Sequence, residues 1–326
     1  MKGEIRLAFI MYDSRSGSTM LASLLSQYKG ISVSLESAFI SRIMELDQNH
    51  KKISSAKDIV NYLFSEIQFE ELGINKKVLE KKIGKVKVLT KKNIITSILE
   101  MVFADFNSKF CIVKHPPYGY LGELQEMFPN IKLIHIIRDG RAVYSSKRDT
   151  SSLSGKSMSN NVLMSALDWR YKLIQIQRFS GKKINVLFEN LVANTNYELD
   201  RVLDFLELSD NDRLLSGDQE DYFQNIGPKQ KTIHANVQSK PKSEITTKWK
   251  KNLSKNEINL YNFIAKYFLL QHDYEVQNIN TLKAFFSYVI ALICLLIDKS
   301  YNILLLIFLS PTKLKLKIIR RYRLLK

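Results

Sequence analysis

Along much of the chain, apolar residues fall in short unbroken runs, each closed by a polar break and followed by helical spacing. Ile5 to Met11 (IRLAFIM) reads as a buried strand. Ser14-Arg15-Ser16-Gly17-Ser18-Thr19 breaks it, and Met20, Leu21, Leu24 and Leu25 then recur as on one helix face. The pattern resets at Gly30, and Ile31 to Leu35 is a second strand with Glu36 just past its end. Phe110 to Val113 is a third, ending at Lys114-His115-Pro116-Pro117, where the prolines forbid continuation. Tyr120 to Phe128 reads as a helix. Lys132 to Ile137 is a fourth strand ending at Arg138, and Gly140 and Arg141 open the next helix. Asn185 to Phe188 is a fifth strand, before Glu189-Asn190 and a helix through Leu199, Val202, Leu203 and Leu206. Residues 37–105 read as helical and polar, with a lysine-rich stretch from Lys76 to Lys92 and no catalytic motif.

Strands alternating with helices predict an α/β fold, a P-loop-like parallel sheet flanked by helices. Ligands bind such sheets outside the carboxyl ends of the strands. Arg15, Glu36, Lys114 and Arg138 all fall at or just past those ends. The first strand–loop–helix is an anion cradle, because backbone N–H groups at a helix start are unpaired and the helix dipole adds to their attraction. Gly17 lets the backbone approach closely, Ser18 and Thr19 add hydroxyls, and Arg15 adds a fork of donors. The loop departs from G-x-x-x-x-G-K-[ST], and no lysine in it could reach a γ-phosphate, which weighs against an ATP- or GTP-hydrolysing reading. A second cradle lies at Arg138-Asp139-Gly140-Arg141, with Ser146 further along that helix. Two cradles at one sheet edge imply a ligand with phosphates at two separate places.

The charge balance suits such a ligand. The formal net charge is +17, of which the last 28 residues supply eight lysines and arginines and no acid. The remaining excess fits an anionic ligand, a nucleic acid or an acidic polymer. No nucleic-acid motif is present, so no nucleic-acid partner is expected. Cys111 and Cys294 form neither a disulfide framework nor a metal spacing, and a reducing compartment is the simpler expectation. No metal is expected, since no cluster of ligand residues has the required spacing.

At these residues the chain resembles the sulfotransferases that use 3′-phosphoadenosine 5′-phosphosulfate (PAPS), most of all their carbohydrate and tyrosylprotein branch. Ser14-Arg15-Ser16-Gly17-Ser18-Thr19-Met20-Leu21 is similar to the 5′-phosphosulfate loop of that family. Met127-Phe128-Pro129-Asn130 through Val143 is similar to its 3′-phosphate motif, with Arg138 and Ser146 in register. Phe188-Glu189-Asn190-Leu191-Val192 resembles its Tyr-Glu-Asp-Leu-Val segment. Ser239-Lys240-Pro241, Lys248-Trp249 and the helix from Ser254 to Leu270 resemble its cofactor-covering end. The resemblance implies PAPS as donor, held by Arg15, Ser16, Gly17, Ser18, Thr19, Arg138, Ser146 and Lys248. It implies Glu36 as general base and Lys114 as the cation at the transferring group. His234 falls near a serine that assists the transition state in some relatives. Thr150 stands where some relatives carry an arginine, which Lys147 or Arg148 could replace. His135 reads as a core histidine and His115 as a turn-former, while Trp249 reads equally as an adenine stack or a packing residue.

Residues 1–275 are thus expected to form a sulfotransferase domain, with 37–105 as a helical cap over the acceptor site. Ala284 to Ile297 is an apolar run of 14 residues, interrupted by Asp298 and Lys299 and followed by Tyr301 to Leu309. Neither piece alone reaches the roughly 20 apolar residues a span needs. The segment 282–309 is expected to contact a membrane, with the basic stretch 310–326 against an anionic leaflet. Because no signal peptide precedes the first strand, a cytoplasmic, membrane-associated enzyme is expected, acting on a hydroxyl of a glycan or glycolipid. The rival readings are a P-loop-like kinase of a small substrate and a non-catalytic binding protein on the same fold.

Overall fold

A computed structural model describes residues 6–46, 55–104, 108–150, 157–159, 161–215, 244–276, 279–290 and 293. His234, Ser239-Lys240-Pro241 and the basic stretch 310–326 lie outside the described residues. Five strands form one parallel sheet: β1 (Arg6–Tyr12), β2 (Ile31–Val33), β3 (Phe110–Val113), β4 (Lys132–Ile137) and β5 (Lys183–Leu187), in the order β2-β3-β1-β4-β5. β3 and β4 have the expected bounds. β2 stops two residues early. β5 begins at Lys183, and Phe188 is instead the first residue of a helix. The reason is exposure: β5 is an edge strand with only Val186 fully buried, so its apolar signal is weak.

The helices α1 (Ser18–Leu25), α2 (Phe39–Met44), α3 (Ala56–Leu63), α4 (Ile67–Glu70), α5 (Lys76–Gly84) and α6 (Lys91–Val102) precede β3. A 3₁₀ turn (Tyr118–Tyr120) leads into α7 (Leu121–Met127), so the helix expected from Tyr120 starts one residue later. Then follow α8 (Gly140–Asp149), α9 (Val162–Arg178), α10 (Phe188–Ala193) and α11 (Thr195–Phe205). Caps set several starts: Ser55, Asn75, Thr90 and Asp139 each accept a backbone N–H of their helix's first turn. Two short helices, Glu244–Thr247 and Trp249–Asn252, and the helix Lys255–Gln271 follow.

Alternation along β1 explains the three layers. Leu7, Phe9 and Met11 enter one apolar cluster with residues of α2, α3, α5, α6 and α7. Ala8, Ile10 and Tyr12 enter the other, with α1, α10 and α11. Both faces of the sheet are covered, which is why its central strands read as largely apolar runs. Most of the described residues between 37 and 104 lie in the helices α2 to α6, as expected. Two compact units are distinguishable: residues up to Asn160 with Asp168–Asn252, and Asn161–Leu167 with Leu253–Lys326. The second includes a helical stretch, 281–290, that exposes Leu282, Phe285, Phe286 and Ile290. Among the described residues no helix is long and apolar enough to cross a membrane.

Candidate active site

All the elements below belong to the first unit. β1 runs further than its neighbour β3: Phe9 pairs with Val113, so Lys114 leaves the sheet level with the middle of β1 while the loop after Tyr12 stands above it. That step explains why a long side chain is needed at Lys114. Its Nζ rises to donate to Thr19 Oγ1 at 3.0 Å and to Glu36 Oε2 at 2.9 Å. The lysine is fully buried and Glu36 keeps about a quarter of its side chain exposed. The two residues expected at the chemical centre are therefore joined to each other and to Thr19 at the start of α1.

The loop itself is bent by two left-handed residues. Arg15 has φ 73° and Gly17 φ 94°. A left-handed arginine is uncommon, and such strain collects at sites where geometry outranks comfort. Gly17 caps α1, and a Cβ there would lie 2.3 Å from Phe188 Cδ2. Only a glycine lets the loop press on the ring. Arg15 Nε donates to Ser146 Oγ at 3.2 Å, and Arg138 Nη1 donates to the Arg15 carbonyl at 3.0 Å. Arg138 also lies 4.6 Å from the centre of the Phe188 ring and donates to the Ile245 carbonyl at 2.8 Å. The two expected cradles are thus adjacent and share hydrogen bonds.

Between them is an open cleft of about 270 Å³, lined by Arg15, Gly17, Ser18, Thr19, Arg138 and Ser146 on one side and Lys248, Trp249 and Asn252 on the other. Seven of the eight residues expected to hold the cofactor line it. Ser16 does not: its side chain is buried under the loop, and its N–H closes a turn onto the Asp13 carbonyl at 3.0 Å. Burial draws the Arg15 guanidinium below its ordinary pKa, so a bound anion would offset the lost hydration. That cost, the left-handed loop and the α1 start fit the diphosphate-like end of a nucleotide.

Lys147 does not face the cleft; its Nζ binds Asp13 Oδ1 at 2.6 Å. Arg148 donates to the Asn252 carbonyl at 2.7 Å. Trp249 packs with Arg141 4.1 Å from its ring, and Arg141 is itself clamped by Asp139 through 2.9 and 2.8 Å bonds. Trp249 thus both packs against Arg141 and borders the cleft. His135 is a buried β4 residue, edge-on to Tyr118. His115 does more than shape a turn: its Nε2 pairs with Ser41 Oγ at 2.8 Å, and burial pulls its pKa down to about 4.

Several residues went unseen in the sequence because their partners are remote. Asp13 Oδ1 also accepts from Lys172 Nζ at 2.5 Å, and Lys172 bridges to Asp168. Burial works to raise the Asp13 pKa, but the two lysines hold it below the ordinary value. Glu66 accepts from Ala38 N at 2.7 Å and Ser37 Oγ at 3.3 Å, tying down the segment just after Glu36. Burial, with the Glu36 charge as a lesser cause, raises the Glu66 and Glu71 pKa values. Among the described residues no group of three or more His, Cys, Asp or Glu is placed to hold a metal ion.

A model of the sulfotransferase family matches residues 8–212 of this chain, from β1 through both cradles and past α11. The chain belongs to the sulfotransferase family. Sulfotransferases also share the fold. A sulfotransferase domain from the curacin biosynthetic pathway superimposes with a TM-score of 0.58 at 18% identity, over 84% of this chain and 99% of that one. A second, from an olefin synthase of Synechococcus PCC 7002, gives 0.53 at 18% identity, over 85% and 98%. A Drosophila melanogaster protein-tyrosine sulfotransferase is 27% identical over 217 residues, 65% of this chain and 40% of that protein. A Caenorhabditis briggsae protein, named provisionally for the same activity, is 30% identical over 140 residues, 37% of this chain and 50% of its own. The chain spans half or less of the length of these two curated relatives.

Proposed function

We propose that this sulfotransferase moves a sulfuryl group from PAPS to an acceptor hydroxyl bound beside Glu36. PAPS supplies the sulfuryl group on a phosphate leaving group. The reading rests above all on Lys114 Nζ, which contacts both the phosphate loop at Thr19 and the candidate base Glu36. The amides at the α1 start, with Arg15, Ser18 and Thr19, hold the 5′ end. Arg138 and Ser146 hold the 3′-phosphate, and Lys248 covers the cleft from the far side. Glu36 takes the acceptor's hydroxyl proton on its exposed carboxylate, and Lys114 neutralises charge that grows on the transferring and leaving oxygens. α2 to α6 form the acceptor-side cap, held to the base through Glu66.

The family match sets aside the kinase alternative. The curated relatives are named for protein tyrosine, so a tyrosine phenol is the first acceptor to test. The glycan or glycolipid expected from the sequence has no support from those relatives and is the second. The exposed apolar side chains of 281–290, continued in sequence by the basic stretch, support contact with an anionic leaflet; flotation with anionic vesicles, with and without residues 282–326, tests it. Transfer of ³⁵S from labelled PAPS to tyrosine peptides, glycans and membrane lipids tests the main reading. Labelling of one acceptor class that disappears in Glu36→Gln supports it. No labelling of any, from protein shown to be folded, contradicts it.

A further inference from the structure

We infer that Asp13, with Lys147 and Lys172, is a positioning lock that fixes the distance between the loop at the α1 start and the second cradle on α8. The inference rests on the proposed nucleotide reading for its functional consequence, and on geometry alone for the lock. Asp13 is the first residue after β1 and the root of the loop: its carbonyl accepts the Ser16 N–H at 3.0 Å, closing the turn that carries Arg15. Its carboxylate is about 5% exposed and meets two ammonium groups on two different helices, Lys147 on α8 at 2.6 Å and Lys172 on α9 at 2.5 Å. Lys147 directly follows Ser146, the residue that accepts from Arg15. Asp168 lies on the outer side of both lysines, 2.5 Å from Lys172 and 3.8 Å from Lys147. Two carboxylates and two lysines make the group neutral as a whole.

Charges buried this way cost hydration, and a well-packed apolar set would hold the helices as firmly; what an ion cluster adds is one defined geometry. Here that geometry matters, because a nucleotide gripped at both ends tolerates only one spacing between the grips. Loop and α8 also meet through the part-buried Arg15–Ser146 bond. Asp13 joins them underneath, where water does not compete.

The lock has a signature that neither a stabilising role nor a charge effect shares. Removing the Asp13 charge leaves the lysines in excess near the bound phosphates. Acting alone, that extra positive charge tightens anion binding. A loosened spacing weakens it. Calorimetric titration with the desulfated product 3′-phosphoadenosine 5′-phosphate (PAP) therefore reads the sign. Asp13→Asn and Lys147→Met are each expected to weaken PAP about tenfold, and the double variant no more than either, as for residues acting in one contact. Lys172→Met leaves the Asp13–Lys147 link and is expected to change affinity less than about twofold. In turnover assays Asp13→Asn raises KM for PAPS, with kcat at saturation within about threefold of wild type, since Glu36 and Lys114 are untouched.

Lys147→Met, which removes a positive charge, weakens anion binding on either reading and does not decide the sign. Equal or tighter PAP binding by Asp13→Asn overturns the inference. So does a fall in melting temperature with unchanged affinity, which marks a purely stabilising cluster. If the wild-type protein itself binds no PAP, the nucleotide reading fails, and hydrogen exchange of the ligand-free protein still decides the lock. Asp13→Asn is then expected to speed exchange in residues 14–19 and 141–149 together, leaving β4 unchanged. Unaltered exchange in either segment overturns it.

Discussion

Replacing Gly17 by alanine tests the loop geometry with a single methyl group. Two independent costs can be read from the structure. Gly17 has φ 94°, where an L side chain loses about 1–2 kcal/mol against its preferred conformations. The new Cβ would also sit 2.3 and 2.6 Å from the ring carbons of Phe188 and 3.5 Å from Ile136 Cδ1. Phe188 cannot swing aside freely: it is about 5% exposed, packed in the cluster with Ile136, Val186 and Leu191, and covered by the Arg138 guanidinium. Overpacking of this kind costs about 1–3 kcal/mol. Together the loss of stability is about 2–5 kcal/mol, large against the roughly 5–15 kcal/mol that a folded domain has. Urea unfolding measures it as a lowered midpoint at constant m-value. Because Phe188 pushes on Arg138, PAP affinity falls as well. Adding Phe188→Leu to Gly17→Ala recovers the steric part and leaves the conformational part. A Gly17→Ala protein within about 0.5 kcal/mol of wild type, binding PAP as tightly, would refute the argument, because it would mean the loop has room and freedom that these distances deny.

Glu36→Gln keeps a hydrogen bond to Lys114 but cannot take a proton; kcat is expected to fall about 10²–10⁴-fold with PAP affinity retained, and single-turnover kinetics at saturating acceptor check it. Lys114→Met removes the cation and is expected to lower kcat about 10²–10³-fold, the scale for one preorganised charge-stabilising donor, while a fall confined to acceptor KM would contradict its place at the transferring group. His115 contributes a pH dependence whose sign follows from its depressed pKa. It is neutral in both states above pH 6.5; as pH falls from 6.5 toward 4, the unfolded chain binds a proton that the folded chain does not, so stability is lost across that window. The loss is at most about 3–4 kcal/mol at roughly 1.4 kcal/mol per pH unit. Denaturation curves for His115→Gln between those limits should be flatter by that amount, and an unchanged acid slope would show that His115 is not the group responsible.

β3 and β4 were legible in the sequence because both faces of the sheet are covered, so each central strand is a largely apolar run with a polar residue at its exit. β5 was legible only in part: at the sheet edge its residues alternate in exposure, and Phe188 looked like a strand end while it starts α10. The loop residues Arg15 to Thr19 and the α8 start at Gly140 could be placed because strand, break and helix follow one another locally. The orientation of Ser16 is not legible in the sequence, which shows that a serine is in the loop but not that its side chain turns away from the cleft. The Asp13 cluster was invisible for a different reason. Its lysines lie 134 and 159 residues further on, and their meeting depends on how α8 and α9 rotate against the sheet. Lys147 shows this most clearly, since its neighbour Ser146 faces the cleft while Lys147 itself turns beneath the loop.

The proposed reaction requires one cleft that grips a nucleotide at both its 5′ and 3′ ends. Calorimetry of the full chain with PAP, and with adenosine 5′-phosphate, which lacks the 3′-phosphate, measures that directly. One PAP per chain is expected, bound at least tenfold tighter than adenosine 5′-phosphate, with the difference abolished in Arg138→Ala. Equal affinity for the two nucleotides, or no heat with PAP, would contradict it.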